Sequence, residues 1–196
     1  MRVKRQLLVV CLLLLVTSVT SCNRGRGVQA AREDRPEAVS QSERNFTMKA
    51  AQANLAEIEA ARIALDKSDN DDVKVYANMI KNDHTSALED LADLMKDKNI
   101  QQPRSIASDT QQDISRMSNL SGGEFDREFV NMMVSDHQKA IELFRDQQSS
   151  AQNPDVKNYV DEVLPRLDMH LDKAQRLQTK LFSAPNKPVS QPPTTR

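Results

Sequence analysis

The 196-residue chain contains three histidines, His84, His137 and His170. Each falls on the apolar stripe of a different segment of helical period, away from the segment ends. A further segment has no histidine, but Glu57 interrupts its alanine-rich stripe. An inward stripe covers about three positions in seven, so three independent histidines would all fall inside it only about one time in twelve. A carboxylate on such a stripe is costly unless paired or ligated. Three imidazoles in one core are hard to satisfy with hydrogen bonds alone. Imidazole and carboxylate together suit a borderline divalent metal, zinc, copper or iron. Taken singly, each histidine reads more simply as a satisfied core residue. The rival reading of the chain is therefore a non-catalytic structural or partner-binding module with buried histidines.

The register allows the four to meet. Asp72-Val73-Lys74-Val75-Tyr76 is echoed by Asp155-Val156-Lys157-Asn158-Tyr159, a hint of internal repetition. Glu57 lies 15 residues before Asp72 and His84 12 after it; His137 lies 18 before Asp155 and His170 15 after it. If each pair of segments folds back as a hairpin, both show the same mismatch, which is about 4.5 Å at the helical rise. Side-chain reach absorbs that. A di-metal carboxylate centre needs Glu-x-x-His on two helices. Here the residues three before the histidines are Lys81, Val134 and Leu167, so ferroxidase chemistry does not follow. Asp83 and Asp136 directly precede histidines and point about 100° away. They read as solvated or as outer partners of a ligand. Met132 and Met133 read as core filler, and Tyr76 and Tyr159 as caps on the core ends. Pro165 falls inside its helix, where it frees the carbonyl of Asp161 and curves the helix over the core. The sequence shows no nucleophile elbow, glycine-rich phosphate loop or CxxC, and thus no catalytic set. Phosphotransfer needs an exposed histidine, which these stripes do not offer.

The elements that must position these groups are long helices. Tryptophan is absent, glycine numbers four, and four of the eight prolines lie in the last dozen residues. Sandwiches and barrels are excluded by so few turn and strand formers. Periodicity predicts helices over about 43–67, 71–98, 124–148 and 154–182. Asn153-Pro154 is a helix start, and Ser68 with Asp71 and Ser121 with Glu124 are candidate capping boxes. Short links make two antiparallel αα-hairpins. The 99–123 connection is long, with Ile106, Thr110, Ile114 and Met117 spaced for a short fifth helix. The expected fold is all-α, a ferritin-like four-helix bundle over 43–182.

Outside the bundle the sequence speaks of export. Arg2, Lys4 and Arg5 precede an apolar run from Leu7 to Val16, too short to span a bilayer. Val19-Thr20-Ser21-Cys22 follows, which resembles a bacterial lipobox and makes residues 1–21 a lipoprotein signal peptide with Cys22 the lipidated residue. Cleavage there removes three of the 27 basic residues and none of the 28 acidic ones, leaving a formal charge of −4. It also removes Cys11, so the mature chain has no thiol for a disulfide. Residues 22–42 read as a flexible tether and 183–196 as a disordered Pro-rich tail. Asn23 is not the acidic residue associated with retention in the inner membrane. The expectation is an outer-membrane lipoprotein facing the periplasm of a Gram-negative cell. Its partner is the membrane through a lipid anchor, and balanced charge excludes nucleic acid.

Ordered pieces across about residues 45–180 resemble the bacterial family called domain of unknown function 4142, a predicted outer-membrane protein. They are Asn54-Leu55-Ala56-Glu57-Ile58-Glu59, Asp72-Val73-Lys74, Ala77-Asn78-Met79-Ile80, Asp83-His84, Leu120-Ser121-Gly122-Gly123-Glu124-Phe125-Asp126, His137, Leu164-Pro165 and His170-Leu171. The resemblance implies a ferritin-like bundle in the cell envelope and no established activity. The family's pattern has histidines where His84, His137 and His170 stand, which makes these three candidate ligands.

Overall fold

The computed structural model of the chain describes residues 38–183. The expected signal peptide, Cys22, most of the expected tether and the expected tail beyond Ser183, which ends α5, lie outside the described residues. Five helices account for nearly all of the rest: α1 (Gln41–Lys67), α2 (Asp71–Asp97), α3 (Ser108–Ser118), α4 (Gly122–Ser150) and α5 (Pro154–Ser183). The described residues contain no strand. No helix among them is long and apolar enough to cross a membrane. α1 packs along α2 and α4 along α5, while α1–α4 and α2–α5 contacts close the bundle. The short α3, in the crossover, lies against α1 and α4. This is the expected two-hairpin bundle with one long connection.

Local chemistry sets the ends. α1 begins two residues before the expected start because Ser40 and Glu43 form a capping box. Ser40 Oγ accepts from the Glu43 N–H, and Glu43 Oε2 accepts from the Ser40 N–H. Neither capping box expected elsewhere forms. Asn70, not Ser68, caps α2, because its Oδ1 accepts from both Asp72 and Val73 N–H. Ser68 instead closes α1 and donates to Asp126 Oδ1 at 2.6 Å. Ser121 makes no side-chain cap to α4. α2 stops in a Schellman turn: Asn99 takes φ 53°, and the Ile100 N–H reaches the Met95 carbonyl at 2.7 Å.

Two apolar clusters fill the bundle. One gathers Phe46, Leu91, Met95, Phe144, Tyr159 and Val160. The other gathers Val73, Ile80, Ile114, Met117, Phe125 and Phe129. Removing such side chains from water is the main stabilising term, roughly 1.5–3 kcal/mol each.

The hairpins repeat. The 83-residue shift that carries Asp72 onto Asp155 also carries Asn70 onto Asn153, and both asparagines cap their helices through Oδ1. It carries Tyr76 onto Tyr159. Tyr76 Oη donates to the His170 carbonyl at 3.4 Å, and Tyr159 Oη to the Ala87 carbonyl at 3.3 Å. Residues 87 and 170 are again related by the same shift. So are Phe46 and Phe129, each of which meets the other hairpin's tyrosine edge-on, at 6.5 and 6.2 Å between ring centres. The five-residue echo marks a two-fold scaffold.

Candidate metal centre

Glu57 on α1, His84 on α2, His137 on α4 and His170 on α5 come together, as their register allows. All four are at most 4% exposed. One ring nitrogen from each histidine lies within 4.8 Å of the others. The ring centres form a near-equilateral triangle, 5.3 to 5.5 Å on a side. Glu57 Oε2 is 2.9 Å from His84 Nε2 and 3.4 Å from His137 Nε2. Donors bound to one zinc ion at its usual bond lengths stand about 3.3 Å apart. The two glutamate edges lie near that, and the histidine nitrogens would close by up to about 1.5 Å around an ion.

The hydrogen bonds on the far side of each ring decide which nitrogen faces inward. His137 Nδ1 is 2.9 Å from the Met133 carbonyl, which can only accept, so Nδ1 carries the proton. His170 Nε2 is 2.8 Å from Asp83 Oδ2 and donates to it. His84 Nδ1 donates to Asn54 Oδ1 at 2.8 Å. The Asn54 orientation is set in turn, since its Nδ2 faces Tyr159 Oη at 3.5 Å, whose own hydrogen goes to Ala87. In the neutral rings the remaining nitrogens, His84 Nε2, His137 Nε2 and His170 Nδ1, present lone pairs to the centre. Those three atoms and Glu57 Oε2 are all buried without a hydrogen bond. Partners on the outer nitrogens that fix tautomer and ring angle are a regular feature of histidine metal ligands.

Electrostatics fit the same picture. Burial pulls His170 down to about 4, outweighing its Asp83 hydrogen bond, so the ring is neutral at neutral pH. Burial pushes the Glu57 carboxyl up; positive charge on His137 and His84, with a hydrogen bond from His84, brings it down, so a shared proton or a cation among these groups is what keeps Glu57 ionised. Burial, reinforced by the Glu57 charge, raises Tyr76.

Asp83 is thus the outer partner that its position before His84 allowed, although it serves His170. Asp136 points elsewhere, pairing with Lys139 at 3.1 Å, and burial raises its carboxyl. Met133 is core filler whose backbone does the work. The tyrosines do not cap the core ends; their hydroxyls bind backbone beside the histidine layer. Asn54 is a partner of the site that the stripe pattern does not single out, although it stands three before Glu57, and the 83-residue shift carries it onto His137.

The surroundings of the centre are unequal. Between α1 and α4, a cavity of about 310 Å³ reaches Glu57, with Ala53, Ala140, Thr110 and Lys139 among its walls. On the opposite side, between α2 and α5, the space beside His84 and His170 is only about 10 Å³.

Residues 28–177 match the family described as Domain of unknown function (DUF4142). The chain belongs to that family. Its fold is similar to the crystal structure of a DUF305 fragment from Deinococcus radiodurans. The TM-score is 0.65 at 13% identity, over 72% of this chain and 97% of that one. At that identity the likeness speaks for the fold alone. A comparison with curated proteins finds no match.

Proposed function

We propose that the bundle holds one divalent metal ion through Glu57 Oε2, His84 Nε2, His137 Nε2 and His170 Nδ1. The supporting observation is the convergence of four buried polar atoms, each without a hydrogen-bond partner. An unsatisfied buried acceptor costs about 1–3 kcal/mol. A proton held between Glu57 and His84 satisfies two of the four. A four-coordinate cation satisfies them all. Three nitrogens and one oxygen suit zinc, copper or iron. When bound, such an ion supplies Lewis acidity or, for copper and iron, a redox couple. The histidines fix its position and Glu57 offsets its charge.

The setting we propose is the cell envelope, with the domain tethered through a lipid on Cys22 and facing the periplasm. The lipobox-like Val19-Thr20-Ser21-Cys22 supports this reading. The role in that place is metal or redox handling under stress, without an assigned reaction. Metal content of untagged wild type and His137→Ala tests the centre. The expected result is about one ion per wild-type chain and a large loss in the variant. Low metal that ignores the substitution would leave the histidines as buried structural groups. Labelling with radioactive palmitate, lost in Cys22→Ala, tests the anchor.

A further inference from the structure

The side of the centre that faces the α1–α4 cleft differs from the other three. His84, His137 and His170 are each anchored by a hydrogen bond on the outer nitrogen, to Asn54, Met133 and Asp83. His84 and His170 are also packed on their far side, where α2 and α5 leave about 10 Å³, and His137 is fully buried. Glu57 has no such support: its close polar neighbours are His84 and His137. Of the four residues it alone lines the 310 Å³ cleft. The wall there is low because Ala53, Ala56 and Ala140 put only methyl groups against the cavity, and α3 borders it through Asp109 and Thr110. A volume near the lower end for ligand pockets admits a molecule of a few heavy atoms. A divalent ion with three neutral imidazoles and one carboxylate keeps one net positive charge. Of the other charged groups on the lining, Asp136 is tied to Lys139, and Lys49 balances Asp109, so the metal's own charge is what draws an anion.

We infer that the metal centre, on the reading given above, exchanges a ligand on its Glu57 side and takes a small monoanion that enters through the α1–α4 cleft. The incoming anion would donate a lone pair to the metal, and the Glu57 oxygen would leave with its own electron pair. No oxidation or proton transfer is involved. The three histidines stay in place because their outer hydrogen bonds and tight packing hold them.

Azide is the probe, and cobalt(II) the reporting metal, in the full-length chain. Titrating azide into the cobalt protein is expected to change the visible spectrum saturably, with one azide per cobalt. Ala53→Leu and Ala140→Leu fill the cleft and are expected to keep one cobalt while raising the azide Kd at least about tenfold. Arg166→Ala, beside the small cavity on the other side, is expected to leave the azide Kd unchanged. If the leucine variants lose cobalt, Ala53→Val and Ala140→Val are read by the same criterion. Cobalt bound in wild type without an azide response overturns the inference and leaves the metal centre standing. An azide response indifferent to every cleft substitution overturns the route. Failure to bind cobalt or zinc at all removes the metal centre itself.

Discussion

The α1–α2 and α4–α5 hairpins share a scaffold and divide the site. Caps, tyrosine contacts and phenylalanine packing recur at equivalent positions. The four convergent groups do not. The counterparts of Glu57, His84, His137 and His170 are Ala140, Leu167, Asn54 and Ala87. Positions that recur hold the fold, because each satisfies a backbone group or fills the core. Positions that break the repeat bring buried polar atoms together, which the fold alone does not require.

One recurring pair carries opposite electrostatics. Glu43 and Asp126 occupy equivalent positions, and each reaches the turn of the other hairpin. Glu43 Oε1 accepts from Gln152 and Asn153 N–H at 2.9 and 2.8 Å, and Oε2 from Ser40 N–H at 2.7 Å. Burial raises its carboxyl, but the backbone donors Asn153, Ser40 and Gln152 outweigh burial and lower it. Asp126 has one donor, Ser68 Oγ, so burial wins and raises it, with Asp69 adding to the effect. The number of N–H groups aimed at a buried acid decides the sign.

The largest test of the equivalence is in the core. Phe46→Ala and Phe129→Ala should each cost about 3–5 kcal/mol in urea denaturation. Losses differing by more than about 2 kcal/mol would break the comparison.

A smaller effect separates the two halves at the site. His84 depends on a side chain, Asn54, for its outer hydrogen bond, whereas His137 uses its own helix's backbone. Asn54→Ala should weaken zinc binding about 10–100-fold. Met133→Leu, which keeps the carbonyl, should leave the zinc Kd nearly unchanged. Calorimetric titration measures both, and equal Kd values would refute the asymmetry.

The smallest effect is in pH. Glu43, with its folded pKa lowered, contributes stability above its unfolded pKa that is lost as pH falls through the folded value. Asp126, with its folded pKa raised, opposes folding when ionised, and acid relieves that penalty. Glu43→Gln should therefore reduce stability at neutral pH and flatten the acid loss. Asp126→Asn should reduce it less, or raise it. Urea midpoints between about pH 3 and 7 decide this, and a Glu43→Gln curve parallel to wild type would sink the account.

The sequence made the bundle and its four inward residues legible because buried stripes have a fixed period and polar groups on them stand out. Register followed from the Asp-Val-Lys-x-Tyr echo. The outer contacts were harder to read. Asn54 looks like any polar residue until its amide is seen between His84 and Tyr159. By residue type Ser68 and Asn70 both suit the cap of α2, and Asn70 takes it. Tertiary contact with Asp126 takes Ser68. The cleft beside Glu57 depends on where α3 lies, which periodicity does not specify.

The most direct test is a crystal of the zinc-loaded chain with anomalous data at the zinc edge. The account predicts one strong peak in the bundle core, about 2.0–2.2 Å from Glu57 Oε2, His84 Nε2, His137 Nε2 and His170 Nδ1. A core without a peak, with zinc only on surface carboxylates, would contradict it.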